Sequence, residues 1–244
     1  MLNRLSEFIL SIKDGSFIKV KDRYNAAIIL SSFLKDQIKN NSSDNVLILG
    51  IPRGGVIMAE TMSNELHIPF DIILARKLRA PYDKEMAIGA IMEDGYVYLN
   101  NNIINSLNIS KNYLEKEKIN RIEEISSKNK LYQPYSSFIN FCEKKNIINK
   151  IISNKIIIIV DDGAASGATL MVLLNWLKEK NPKKIIVAIT VAPKETIKLL
   201  KKEAKDIETI LAPSHNFKNV SQYYKDFPQI TDEQVLKILK EKKW

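Results

Sequence analysis

The chain has 244 residues, 45% of them hydrophobic, with a formal net charge of +9 and a single cysteine, Cys142. That length and apolar content suit one α/β domain with a sizeable core, and one cysteine excludes an internal disulfide or a cysteine-built zinc cluster. No apolar run approaches the roughly 20 residues a membrane helix needs, and the first ten residues lack a secretory signal's apolar stretch, so a cytoplasmic protein is expected.

The lysines are dispersed or lie on the polar side of helical stretches, as with Lys198, Lys201, Lys202 and Lys205. This reads as a solvated surface. No basic run is interleaved with aromatics, so a nucleic-acid partner is not expected.

In chain order, residues 17–23 lead into a helical pattern from Tyr24 to about Ile38, with Ala27, Leu30, Phe33, Leu34 and Ile38 as its apolar stripe. Asp22 and Arg23 stand at that helix's start and are read as its entrance rather than as functional groups. Val46 to Leu49 reads as a first central strand. It ends in Gly50-Ile51-Pro52-Arg53-Gly54-Gly55, and a helical run follows from Val56 to Leu66. Glycines, free backbone N–H groups and the charge of Arg53 suit a multiply charged anion. His67 falls in a turn and is read as structural.

Phe70 to Leu74 reads as a second strand, leading to the basic run Arg76-Lys77-Leu78-Arg79. Ala87 to Met92 and Tyr96 to Leu99 flank Glu93-Asp94-Gly95, a hairpin signal. Residues 100–154 read as a helical insert, with Ser110 capping a long helix to about Leu131. The insert is taken as a packing or dimerisation element, so a homo-oligomer, a dimer, is expected.

The most informative stretch runs from Ile156 to Leu170. Five β-branched residues form a strand buried on both faces, two adjacent carboxylates (Asp161, Asp162) follow, and a loop of small residues opens a helix. A helix N-terminus presents free N–H groups and a partial positive charge, which suits a phosphate. Gly163, Ala164, Ala165, Gly167 and Ala168 keep no bulk between backbone and ligand, and Ser166 and Thr169 add hydroxyls. Carboxylates beside such a pocket repel phosphate, but they accept hydrogen bonds from sugar hydroxyls or hold hydrated Mg²⁺. Ribose 5-phosphate offers both kinds of group.

Beyond the loop, Ile185 to Val191 is a buried strand, Glu195 to about Ala204 a helix, and Ile207 to Leu211 a further strand. The loop after it holds His215, Phe217, Tyr223, Tyr224 and Phe227. These aromatics either stack on a base or, the favoured reading, staple the C-terminus to the core. Thr231 caps a final helix. Alternating helices and buried strands give an open, mainly parallel twisted sheet with helices on both faces. If the strands at 46–49 and 156–160 are neighbours, their two loops face each other at the sheet's switch point.

The run Val160-Asp161-Asp162-Gly163-Ala164-Ala165-Ser166-Gly167-Ala168-Thr169 resembles the phosphoribosyl pyrophosphate (PRPP) signature of type I phosphoribosyltransferases. With Asp22-Arg23, Pro52-Arg53-Gly54-Gly55, Ala75-Arg76-Lys77-Leu78 and Ala87-Ile88-Gly89-Ala90, the likeness extends to a subfamily of predicted phosphoribosyltransferases with unassigned acceptor. The resemblance implies one domain over residues 1–244, with the insert at about 100–154 and a C-terminal hood-like segment at about 212–244. It implies that residues 163–169 hold the 5-phosphate, and that Pro52, Arg53, Gly54 and Gly55 hold the pyrophosphate around a cis Pro52–Arg53 bond. The hairpin is expected to be a flexible loop that closes over PRPP.

Asp161, Asp162, Arg53, Arg76 and Lys77 become the candidate catalytic residues. The acids would hold ribose hydroxyls and place Mg²⁺ through water, and the basic residues would stabilise departing pyrophosphate. The partners implied are PRPP and a nucleobase-like acceptor. Enzymes for hypoxanthine and guanine carry an aspartate where this chain has Ala165, which argues against a 6-oxopurine. Two other readings compete: a PRPP-sensing or nucleic-acid-binding regulator without transferase activity, and a phosphoribosyl hydrolase or phosphorylase.

Overall fold

A computed structural model describes residues 19–83, 86–142 and 145–242; Phe17 and Ile18 of the first predicted segment, and Glu85, lie outside them. Asp22 caps the first helix, α1 (Arg23–Ile38), by accepting a 2.7 Å hydrogen bond from the Asn25 N–H. The chain then forms β1 (Val46–Gly50), α2 (Gly54–Leu66) and β2 (Phe70–Ile72). His67 closes α2 in the left-handed conformation, with φ of 55°.

β2 is shorter than the sequence pattern predicts. The chain leaves the sheet at Ile73 and Leu74, and β3 (Ala75–Arg79) belongs to a second, antiparallel sheet with β4 (Ala87–Met92) and β5 (Val97–Leu99). The apolar residues Ile72 to Ala75 carry no mark of a change of sheet. The expected hairpin is present as β4 and β5. Every residue of β4 is buried, and Asp94 in its turn accepts a 2.7 Å bond from the Trp176 indole N–H. Between β3 and β4, Tyr82 is 98% exposed.

The insert consists of α3 (Asn101–Ser106), α4 (Lys111–Tyr132), α5 (Ser137–Cys142) and α6 (Lys145–Ile152). Ser110 caps α4 as predicted, accepting from the Tyr113 N–H. α4 packs on β3 and β4, and its buried Glu117 accepts from the Arg79 N–H at 3.0 Å. Then come β6 (Ile156–Asp161), α7 (Ala168–Lys178), β7 (Lys184–Val191), α8 (Lys194–Leu200), β8 (Asp206–Leu211) and α9 (Asp232–Glu241).

The main sheet is parallel, in the order β2-β1-β6-β7-β8. Successive strand residues point to opposite faces, so alternate positions enter different cores. Ile48, Ile158, Val160, Ile186 and Ala188 pack against α1, α2 and α9. Leu49, Ile157, Ile159, Val187 and Ile189 pack against α7 and the buried residues of α5 and α6. From β1 the chain winds outward to β2, whereas from β6 it winds the other way through β7 to β8. The β1–β6 pair is therefore the switch point, with Gly50 paired to Val160 at its C-terminal edge. Among the described residues no helix is long and apolar enough to cross a membrane.

Candidate active site

The two loops that leave the switch point define the site. After β1, Ile51 still donates to the Val160 carbonyl at 3.0 Å, and the Pro52–Arg53 peptide is cis. α2 begins one residue later. Its start lies so close to β6 that a Cβ on Gly55 would stand 2.4 Å from the Val160 carbonyl oxygen. A Cβ on Gly54 would stand 2.1 Å from Asp162 Oδ2 and 2.8 Å from Arg23 Nε. The paired glycines of the first loop are thus needed for contact with the second.

Asp161 ends β6 and Asp162 follows it. The Asp162 N–H donates to Asp161 Oδ1 at 2.9 Å, and Asp162 Oδ2 accepts from Arg23 Nε at 2.9 Å. Burial pushes the Asp161 carboxyl well above the ordinary carboxylate range, and the adjacent Asp162 charge adds to the effect. Burial also raises Asp162, against the opposing charge and hydrogen bond of Arg23. The positive charges of Arg23 and Lys77 pull both carboxyls back down.

The small-residue loop is held from beneath. The Ala164 N–H donates to the Val191 carbonyl at 2.9 Å, and Thr196 Oγ1 donates to the Ala165 carbonyl at 2.5 Å. Gly167 precedes α7 with φ of 72°, a region that favours glycine. A Cβ there would also meet the Thr196 methyl at 2.9 Å. Ser166 Oγ lies 3.4 Å from the Ala168 N–H, and Thr169 falls inside the first turn of α7. The helix therefore starts two residues earlier than the apolar run suggests.

Arg76 and Arg53 share a second neighbourhood with Tyr132 and Asp232. Arg76 Nε stands 4.0 Å from Glu124 Oε2, and burial lowers the guanidinium from its ordinary value. Asp232 accepts hydrogen bonds from Lys128 and, at 2.5 Å, from the Tyr132 hydroxyl. The helical insert therefore reaches the basic residues as well as packing on the small sheet.

Arg23, read from sequence as part of a helix entrance, has a second task. Its Nη1 donates to the Pro228 carbonyl at 2.8 Å, and its guanidinium carbon lies 3.6 Å from the centre of the Phe227 ring. Asp22 alone has the capping role. Tyr224 is likewise committed inward: its hydroxyl lies 2.8 Å from the Asp162 carbonyl oxygen and 2.5 Å from Thr190 Oγ1. Tyr223 stacks on Phe217 with ring centres 5.5 Å apart. These aromatics staple the C-terminal segment to the core, and His215 is exposed on that segment. No signal in the sequence ties Thr196 or Tyr224 to the acidic loop; the Asp22-Arg23 pair was the one visible hint.

Residues 19–227 match the family model of the phosphoribosyl transferase domain. A Mycobacterium tuberculosis (strain H37Rv) protein named "Putative phosphoribosyl transferase Rv0571c" is 26% identical over 206 residues, which is 84% of this chain and 44% of that protein. The chain thus spans less than half the length of that curated relative. The crystal structure of the TT1426 protein from Thermus thermophilus superposes with a TM-score of 0.70 at 28% identity, covering 91% of this chain and 97% of that one. With the family model matched from β1 through β8 and around both loops of the switch point, the chain belongs to the phosphoribosyl transferase domain family.

Proposed function

We propose that the protein transfers ribose 5-phosphate from PRPP to a nitrogenous base and releases pyrophosphate, with Mg²⁺ required. One observation carries this reading: the acidic loop and the Pro52–Arg53 loop leave neighbouring strands in register, with Gly54 against Asp162. A ligand that carries a 5-phosphate at one end and a pyrophosphate at the other, with hydroxyls between, matches that pairing.

In this reading the N–H groups of residues 163–169 at the start of α7 bind the 5-phosphate. One oxygen of each carboxylate is already committed, Asp161 Oδ1 to a backbone N–H and Asp162 Oδ2 to Arg23, which leaves the second oxygen of each for the ribose diol. Arg53, Arg76 and Lys77 stabilise negative charge on the departing pyrophosphate as the anomeric carbon gains oxocarbenium character. The donor set fits Mg²⁺, since Asp161 and Asp162 offer hard oxygens to a hydrated ion. Bound Mg²⁺ supplies charge neutralisation on the pyrophosphate. Ala165 offers no acid to a purine ring, so the acceptor class is open to adenine-like and pyrimidine-like bases.

Asp161→Asn with Asp162→Asn is expected to leave a folded protein that no longer binds PRPP in calorimetric titration with Mg²⁺. Wild-type affinity in that folded double variant would overturn the assignment.

A further inference from the structure

Arg23 is buried, yet no step of the proposed reaction uses it. It makes three contacts at once, one with the acidic loop and two with the C-terminal segment. Nε bonds Asp162 Oδ2 at 2.9 Å, Nη1 bonds the Pro228 carbonyl at 2.8 Å, and the guanidinium carbon lies over the Phe227 ring, 3.6 Å from its centre. Its side chain is 9% exposed and that of Asp162 is 17% exposed, so the pair is largely withdrawn from solvent.

The partners are themselves fixed. Residues 20–21 run beside residues 223–226: the Val20 N–H donates to the Tyr223 carbonyl, and the Lys225 and Asp226 N–H groups donate to the Val20 and Lys21 carbonyls, each at 2.9 Å. Arg23 therefore stands where the start of the described chain, the C-terminal segment and the acidic loop meet. Gly54 completes the enclosure, because any side chain there would collide with both Asp162 Oδ2 and Arg23 Nε.

We propose that Arg23 is a positioning residue that holds Asp162 with one oxygen tied back and one presented to the ribose, and that docking of Phe227 and Pro228 sets this orientation. The inference rests on the functional reading above. Its physical basis is the shape of the guanidinium. A planar fork can bond a carboxylate and a carbonyl in fixed directions while its face stays on a ring; an ammonium on a flexible stem cannot. A carboxylate next to two phosphate-binding loops also needs a cation behind it, or it repels the ligand it serves.

The test uses the full chain and two probes, PRPP with Mg²⁺ and inorganic pyrophosphate without any divalent ion. Metal-free pyrophosphate has no ribose hydroxyls and no ion for Asp162 to hold, so a role exercised through Asp162 leaves it untouched. Arg23→Lys keeps the buried charge and is expected to weaken PRPP by about tenfold, the scale of one charged hydrogen bond. Pyrophosphate affinity should stay within about twofold of wild type. Phe227→Leu, which keeps every hydrogen bond of Arg23, should shift PRPP in the same direction by less. Unchanged PRPP affinity in Arg23→Lys overturns the inference, and so does an equal loss for both probes, which marks a general disturbance of the fold. A wild-type chain that binds pyrophosphate but not PRPP overturns the functional reading itself, and this inference with it.

Discussion

Asp161 is placed against its own stability. Its carboxyl is held well above the ordinary range by burial, so the folded chain binds a proton there over a pH window where the unfolded chain has released it. Stability from this group is present below about pH 4 and is lost as pH rises through the raised value. Asp161→Asn removes the buried charge, so its melting temperature should exceed wild type at neutral pH and converge with it near pH 4, read by thermal scans across pH; an unchanged difference across that range would contradict the assignment. Gly54 makes a separate prediction. Gly54→Ala inserts a methyl 2.1 Å from Asp162 Oδ2, and should cost about 1–3 kcal/mol by chemical denaturation while also lowering PRPP affinity. The glycines and the acidic pair were legible in the sequence because each is a local signature. Arg23 and Asp162 stand 139 residues apart, and Tyr224 and Asp162 62 apart, so neither contact leaves a mark on periodicity or spacing.

Elements whose pattern is set by one neighbour were predicted well. β6 opens with five buried β-branched residues, and it sits at the centre of the sheet as such a run should. Thr231 and Gln234 form the full capping box that starts α9. The boundary between β2 and β3 was not legible, because Ile72, Ile73, Leu74 and Ala75 are apolar straight across the change of sheet. α4 was read as packing; its charged face also supplies Glu124 to Arg76, and Lys128 and Tyr132 to Asp232. The end of α9 is fastened by another long-range pair. Lys242 Nζ lies 3.0 Å from Asp71 Oδ2 on the edge strand β2, with side chains 11% and 7% exposed. Asp71 also accepts from the Ile72 and Phe138 N–H groups at 2.9 and 3.0 Å. Lys242→Met should therefore cost up to about 3–5 kcal/mol, less what those two bonds retain, and adding Asp71→Asn should recover part of the loss. Additive losses in urea denaturation would mean that the pair is not coupled.

At the scale of the molecule, the fold brings two anion-suited loops to one edge by winding the chain in opposite directions from β1 and β6. The mainly parallel sheet followed from the alternation of helices and buried runs; the adjacency of β1 and β6 was a condition in the sequence and is met in the pairing of Gly50 with Val160. The net charge of +9 carries little information on its own, since it does not say where the charges stand. What distinguishes the site is the placement of a few charges: two carboxyls raised by burial, with Arg23 bonded to Asp162 and the charges of Arg23 and Lys77 opposing that rise. That arrangement is suited to a ribose carrying phosphate at both ends. The measurement that tests this most directly is pyrophosphate release from PRPP with Mg²⁺, scanned over purine and pyrimidine bases with a control lacking any base. Release that depends on one base, and that disappears in the Asp161→Asn, Asp162→Asn double variant, is the expected result. Measurable PRPP binding with no base-dependent release across the panel would contradict transfer to a nucleobase, and absence of PRPP binding would contradict the site.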